Sequence, residues 1–382
     1  MTMYKTFIIG SLMMFAMSSM MAQTADELVW YDGENAVAYS VQTDVDPVVK
    51  VALEMFSEDM SAVTGRKAIA AKKGKLRIVE LDKASKKIIK ELSRKNVPLE
   101  EIMSSCDGFH ISVDDGNVLI VGKNGRGTAY GILEMSRIAG VSPWIWWGDL
   151  VPERKSRLAI NRNIAVSQGA SVEYRGIFIN DEDWSIRRWS EKGQKGLIGR
   201  DIYKKVFQLL MRLRANAIWP AMHEGTVSFF NTPGAKEVAD SCGIAVGSSH
   251  CEPLLRSNTG EWDVKERGAF NYFTNRDNVQ RYWTERLDEV KNSAGGNLFT
   301  IGMRGIHDGS MEGAKTMEQK FDGLQRVIND QQELIANHIG EPASQTQIFI
   351  PYKEVLQIYE KGLKVPEYVT LMWCDDNYGY LT

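Results

Sequence analysis

Apolar residues recur at helical spacing in DPVVKVALEMFSEDMSAVTG (46–65), where Val49, Leu53, Phe56 and Met60 share one face and predict an amphipathic helix. LRIVELD (76–82) reads as a strand, KASKKIIKELSRK (83–95) as an amphipathic helix with a basic face, and FHISVDDGNVLIVG (109–122) as a hairpin turning at Asp-Asp-Gly-Asn. GRGTAYGILEMSRIAG (125–140) is a glycine-entered helix. Residues 23–165 therefore read as a mixed α/β domain. It ends in an aromatic linker, SPWIWWGDLVPERK (142–155), expected to dock on the next domain.

From about residue 172 the rhythm changes, and short apolar strands alternate with helices. The predicted strands are VEYRGIFIN (172–180), NAIWPAM (216–222), IAVGSSH (244–250), NLFTIGMRG (297–305), TQIFIPY (346–352) and VTLMWC (369–374). The helices between them are predicted near 201–214, 234–243, 278–294, 315–338 and 353–362. Buried strands alternating with amphipathic helices imply parallel β/α units.

Ionisable groups follow all six strands: Asn180-Asp181-Glu182-Asp183, then His223-Glu224, His250, Arg304 with His307 and Asp308, Tyr352-Lys353-Glu354, and Asp375-Asp376-Asn377. A doubly wound sheet uses only the crevice where its strand order reverses, whereas a (β/α)₈ barrel gathers its site from loops at the carboxyl ends of the strands. The expected fold class is thus α/β: an N-terminal mixed α/β domain, then the first six strands of a TIM-type barrel over 166–382. Taken singly, Asp181 or Asp183 reads as a helix cap, Glu354 as a first-turn acid and His223 as a core histidine. Capping does not explain His250, Arg304 and Tyr352 at equivalent positions.

Composition narrows the chemistry. With 43% hydrophobic and 25% charged residues the chain is ordinary globular protein, and a net charge of −3 gives no argument for nucleic acid or an anionic membrane. Lys5, an apolar stretch from Phe7 to Met17 and small residues up to Ala22 read as a secretory signal over 1–22, placing the mature protein in the periplasm or cell exterior. No later segment is apolar enough to span a membrane. Cys106, Cys242, Cys251 and Cys374 are scattered singly and read as buried free thiols.

NVLIVGKNGRGTAYG (117–131) raises a phosphate-loop question, but Lys123 lacks the following Ser or Thr and no acidic ribose partner stands at the expected distance. A helix-strand packing turn accounts for the glycines. His223, Glu224, His250 and Asp308 are metal-ligand types without tight ligand spacing, so neither metal nor cofactor is expected. No Ser occupies a nucleophile elbow. Several carboxylates on separate loops, with aromatics between, suit glycoside hydrolysis, in which one carboxyl protonates the leaving oxygen and another activates water or attacks. Arg304 and His250 suit an anionic sugar, because a guanidinium fork matches a carboxylate.

YRGIFINDEDW (174–184), NAIWPAMHEG (216–225), GIAVGSSHCEPLLR (243–256), FTIGMRGIHDGSMEG (299–313) and MWCDDNYGY (372–380) together resemble glycoside hydrolase family 115, the xylan α-1,2-glucuronidases. The resemblance implies removal of glucuronic acid, or its 4-O-methyl form, from xylose units of plant glucuronoxylan with inversion. It also implies site positions at Asp181, His250, Arg304, Asp308, Glu354 and Asp375. Glu354 is expected to be the general acid, its pKa raised by the apolar neighbours Tyr352 and Val355. Asp375, with Asp308 next, is the expected base. Arg304 and His250 would hold the substrate carboxylate, and Asp181, His223, Asp376 and Asn377 would bind elsewhere on the sugar. Inversion implies acid and base carboxyls roughly 6.5–9.5 Å apart.

Members of that family are longer, so the resemblance implies that the barrel is cut behind its sixth strand, and that later strands and C-terminal domains, with any homo-oligomer contacts, lie beyond this sequence. The expectation for the 382-residue chain alone is then inactivity or insolubility, since an open strand edge invites aggregation. Two rivals remain open at this stage. Adjacent Asp375-Asp376 suits a hexosaminidase that uses its substrate's acetamido group, and a degenerate barrel would serve as a non-catalytic carbohydrate-binding protein.

Overall fold

The computed structural model describes residues 26–179, 185–193, 198–375 and 378–380. The chain divides into two compact units, Met1–Glu173 with Met211–Arg214, and Tyr174–Leu210 with Ala215–Thr382.

The first unit opens with β1 (Glu27–Tyr31), β2 (Ala38–Val41), α1 (Pro47–Thr64), β3 (Ile69–Ala70) and β4 (Leu76–Glu80). It continues with α2 (Lys86–Arg94), α3 (Leu99–Ser104), β5 (Cys106–Asp114), β6 (Asn117–Gly122), α4 (Gly125–Ile138), β7 (Leu158–Asn161) and β8 (Ala165–Ala170). A six-stranded sheet runs in the order β3-β2-β4-β6-β5-β8, parallel from β3 to β6 and antiparallel across β5 and β8. Because β8 pairs with β5, this unit extends to Glu173.

Both faces of the sheet are covered. Val79, Leu119 and Val121 pack with Leu92 of α2 and Ile102 of α3, while α4 lies on the other face, with Gly131 against Ile120 and Phe109. The β5–β6 hairpin turns at Asp115-Gly116, both with positive φ (47° and 72°), the geometry a two-residue hairpin loop requires. The glycines after β6 serve packing, as expected of them. A Cβ on Gly122 would lie 2.2 Å from the Thr128 nitrogen, and one on Gly127 would lie 2.3 Å from the Gly108 carbonyl. Arg154 and Lys155, at the end of the aromatic segment, reach the carbonyls of Ser61 and Ala139 within this same unit.

The second unit carries β9 (Gly176–Phe178), α5 (Ile186–Gly193), α6 (Arg200–Arg212), β10 (Ala217–Trp219), α7 (Ala235–Ser241), β11 (Ala245–Val246), α8 (Asn258–Glu261) and α9 (Val264–Arg267). Then come α10 (Arg276–Val290), β12 (Phe299–Ile301), α11 (Met317–His338), β13 (Gln347–Phe349), α12 (Glu354–Glu360) and β14 (Thr370–Leu371). All six predicted strands are present. Two parallel sheets, β11-β10-β9 and β12-β13-β14, are joined by a parallel bridge between Val246 and Asn297, so the strands stand side by side in chain order.

That arrangement is curled. At the usual strand spacing of about 4.8 Å, the start of β9 and the start of β13 would lie about 19 Å apart in a flat sheet. Yet the hydroxyls of Tyr174 and Thr346 are 3.0 Å apart. One cluster accordingly draws on all six strand neighbourhoods, with Tyr174, Ala217, Ala245, Leu298, Ile348 and Met372 together on the concave side. Alternate residues face the other way: Phe299, Ile301 and Phe349 pack under Trp283 of α10, Leu324 and Val327 of α11, and Ile358 of α12. Burial on both faces explains why β10 to β13 are largely apolar.

Among the described residues, no helix is long and apolar enough to cross a membrane. The four cysteines are free thiols, but only Cys242 and Cys251 are buried. Cys106 is half-buried and Cys374 exposed, which corrects the expectation for those two. Cys374 lies outside the core because it follows β14, where the chain has left the sheet.

Candidate active site

The loops after β11, β12 and β13 meet at one carboxylate. Asp308 Oδ1 faces His250 Nε2 at 2.7 Å and also contacts the Arg304 guanidinium, and Lys353 Nζ donates to Oδ2 at 2.7 Å. Arg304 spends its remaining fork on Glu354, with Nε–Oε1 at 3.1 Å and Nη2–Oε2 at 2.9 Å. Tyr352 lies beneath, its ring centroid 4.6 Å from that of His250 and 5.3 Å from Lys353 Nζ. His250, Arg304, Asp308 and Glu354, chosen from sequence as four site residues, thus belong to one connected network.

Local backbone geometry delivers these groups. Gly302, just past β12, has φ of +100°, and its peptide is clamped by the buried Gln331 amide (Gly302 N–Gln331 Oε1 2.7 Å, Gln331 Nε2–Gly302 O 2.9 Å). Arg304 leaves this fixed point almost wholly buried. The following turn closes with Gly305 N to Gly309 O at 2.8 Å and forces His307 and Asp308 to φ of 50° and 63°. Lys353 sits at φ 53° immediately before α12, so that Glu354 becomes the first helical residue. Three left-handed non-glycine residues around one carboxylate cost about 1–3 kcal/mol each, strain that clusters where function over-determines geometry.

Electrostatics assign the proton states. Burial pushes the His250 pKa down to about 4, with the charges of Arg304 and Lys353 acting the same way. At neutral pH the ring is neutral, and with Asp308 facing Nε2 its single proton sits there, leaving Nδ1 an acceptor. Burial alone would raise the Glu354 pKa, but the Arg304 hydrogen bonds, its own backbone N–H and the Arg304 charge prevail and hold it below the usual range. The expected raised Glu354 pKa is therefore corrected: through-space pairing with Arg304 outweighs the apolar sequence neighbours Tyr352 and Val355. Likewise, the Arg304 fork expected to grip a substrate carboxylate already holds a protein one.

The other expected positions fall elsewhere. His223, after β10, has its ring centroid 5.4 Å from that of His307, with the rings tilted by 57°. Asp375 follows β14 and is exposed. Asp181, Asp376 and Asn377 lie outside the described residues. Lys353 and His307 also stand in these loops without an expected role, and the signal for Lys353 is its position beside Glu354. His250, Cys251 and Asp308 bring three ligand types within 4.8 Å. However, burial raises the Cys251 thiol pKa to about 12, and Asp308 is already held by two cations, so this cluster suits an ion pair better than a metal.

The sequence of residues 167–382 matches the model of glycosyl hydrolase family 115, and the match covers more than half of the chain. The chain belongs to glycosyl hydrolase family 115. A solved family 115 enzyme, described as the 4-O-methyl-alpha-glucuronidase BtGH115A with specificity for decorated arabinogalactans, is 42% identical with a TM-score of 0.85 over 93% of this chain and 47% of its own. The chain thus spans about half the length of that relative. At 11% identity, the Flavobacterium johnsoniae chitobiase (TM-score 0.55, 93% of this chain and 54% of that one) shares the fold. So does a Bacteroides fragilis beta-N-acetylhexosaminidase (TM-score 0.53, 11% identity, 91% and 67%). No curated protein matches. The network after β11, β12 and β13 lies within the residues that match the family model.

Proposed function

We propose that the protein is an inverting glycoside hydrolase that removes (4-O-methyl)-glucuronic acid α-1,2-linked to xylose in glucuronoxylan, and that β9 to β14 form the first six strands of a (β/α)₈ barrel. The barrel reading is supported by parallel strands in chain order, their curl, and polar groups gathered at their carboxyl ends. The substrate reading rests on one observation above the rest: two cations, the buried Arg304 and the half-exposed Lys353, are held by two carboxylates, Asp308 and Glu354, in one cluster. A uronate entering it meets cations whose present partners are exchangeable.

The exchange supplies the acid. A substrate carboxylate that takes the Arg304 fork releases Glu354, and burial, the largest influence on this group, then raises its pKa until it holds a proton for the leaving oxygen. Asp375 or Asp308 acts as the base toward water, and neutral His250 orients Asp308. A second substrate, decorated arabinogalactan, is favoured by the relative that is 42% identical.

Proton NMR of the sugar released from glucuronoxylan and from a decorated arabinogalactan tests the proposal. The expected first product is the β-anomer of the uronic acid, from glucuronoxylan. Initial α-anomer would refute inversion, release from arabinogalactan alone would move the substrate to the second reading, and release from neither by a protein spanning the family's full length would overturn the function.

A further inference from the structure

Behind the loops that carry His223 and His250 lies a small cavity of about 20 Å³, lined by Ala221, Met222, Phe230, Ser249, Glu252 and Arg256 among others. Glu252 is 1% exposed. One carboxyl oxygen, Oε2, accepts the backbone N–H of Asn258, while Oε1 is buried without a hydrogen-bond partner. Arg256, the cation lining the same cavity, is occupied by Glu261 at 2.9 Å, Glu285 at 3.1 Å and the Tyr282 carbonyl. Arg286 is occupied by Glu261 at 2.7 Å. Among the described residues, Glu252 has no ion-pair partner.

The segment that this carboxyl closes is the one that presents His250. Glu252 N donates to the Ser249 carbonyl at 3.0 Å, Asn258 Nδ2 to the Cys251 carbonyl at 2.7 Å, and Leu255 N to Ser248 Oγ at 3.2 Å. Leu254 and Leu255 are both left-handed, with φ of 51° and 63°. Such a loop opens to ordinary backbone angles unless something holds it.

We infer that Glu252 is a positioning residue for the site: its carboxyl ties the loop from Ser248 to Asn258 shut and, with one water in the adjoining cavity, fixes where the His250 imidazole stands. The cavity exceeds the roughly 10–15 Å³ that one water needs, and Glu252, whose Oε1 lacks a hydrogen-bond partner, lines it. A fully buried carboxylate without a counter-charge is costly, so the group carries its proton. Burial, reinforced by Glu261, pushes its pKa well up, in the same sense. A neutral carboxyl is both acceptor, for Asn258 N–H, and donor, for the water.

The consequence for catalysis rests on the glucuronidase reading, but the test does not. In the full chain, the His250 imidazole is titrated by NMR, its signal identified with His250→Gln. Glu252→Gln keeps shape and neutrality and is expected to leave the imidazole pKa near the wild-type value of about 4. Glu252→Ala empties the tie and is expected to raise that pKa by about one unit or more as the ring gains solvent, and to lower kcat/KM about tenfold with a smaller loss in Glu252→Gln. Glu252→Asp, one methylene shorter, is read in the same way should the alanine variant not fold. An unmoved His250 titration in the alanine or aspartate variant overturns the inference, as does an equal shift in the glutamine variant. A crystal structure with the cavity dry overturns the water. Because the titration needs no substrate, a shifted His250 supports the positioning role whether or not hydrolysis is seen, and the function stands or falls on the anomer assay alone.

Discussion

Both units end parallel strands in polar residues, and the two use them differently. In the first unit Glu80 closes β4 by accepting Asp46 N–H at 3.0 Å, Lys123 after β6 donates to the Ser105 carbonyl at 3.0 Å, and Asn124 caps α4 through Gly127 N–H at 2.9 Å. Glu80 and Lys123 are used here on backbone, and Asn124, besides its cap, donates to Asp107 Oδ1 at 3.1 Å, so all three hold local turns. In the second unit His250, Arg304 and Lys353 arrive from three loops onto one carboxylate, side chain to side chain, with Lys353 half exposed. A polar residue at a strand end is therefore a common structural device, and a site begins where several such residues satisfy one another in reach of solvent. Arg304→Met tests this most severely. It leaves Glu354 without its cation and Asp308 with only Lys353 and His250, and is expected to lower kcat by about 10²–10³ and to destabilise the second unit by about 3–5 kcal/mol in urea unfolding. A variant that hydrolyses at the wild-type rate would reduce the network to another structural device.

The contrast also has a pH signature. Burial raises the Glu80 pKa to about 7, so the folded chain keeps a proton that the unfolded chain loses near the ordinary 4.5. The stability Glu80 contributes is present below pH 4.5 and lost as pH rises toward 7. Glu80→Gln should therefore be more stable relative to wild type at pH 8 than at pH 5, by on the order of 2–3 kcal/mol, with no change in the acid limb of activity. A matching change in the activity profile would mean that the first unit's strand ends do more than hold turns. Gln331→Leu is the positional counterpart in the second unit. It removes both clamps on the Gly302 peptide and should cost about 2–3 kcal/mol in unfolding experiments, while loosening Arg304. Retention of both stability and kcat would show that Arg304 is placed by its carboxylates alone.

Much of this was legible in the sequence. The helix at 46–65 and the Asp115-Gly116 turn follow from local periodicity and turn chemistry, and the six strands of the second unit from apolar runs between helices. Strand ends were less legible. NAIWPAM reads as one run of seven, but the ladder covers only Ala217–Trp219, because Ala221 and Met222 remain buried after the chain has turned. Hydropathy reports burial and does not mark where pairing stops. The convergence of His250, Arg304, Asp308 and Glu354 followed from topology. The proton state of Glu354 did not, since it depends on a guanidinium fifty positions away in sequence. Nor did the left-handed Lys353, a backbone state that no local pattern of residue types announces.

The smallest expected change in stability belongs to Lys353, where the two uses of a strand-end residue separate most cleanly. Its ammonium group is half exposed and holds Asp308 at 2.7 Å, a carboxylate that His250 and Arg304 also hold. Replacing it with methionine preserves a long apolar stem over Tyr352 and removes only the charge. An exposed ion pair contributes about 0–1 kcal/mol, so Lys353→Met should unfold within about 1 kcal/mol of wild type. A uronate, by contrast, loses a charged hydrogen bond of about 1.5 kcal/mol or more, so KM for the uronate-bearing substrate should rise about tenfold with kcat less affected. Should unfolding instead show a loss above about 2 kcal/mol with KM unchanged, Lys353 would be a strut like Lys123. The sugar's carboxylate would then be met by Arg304 alone.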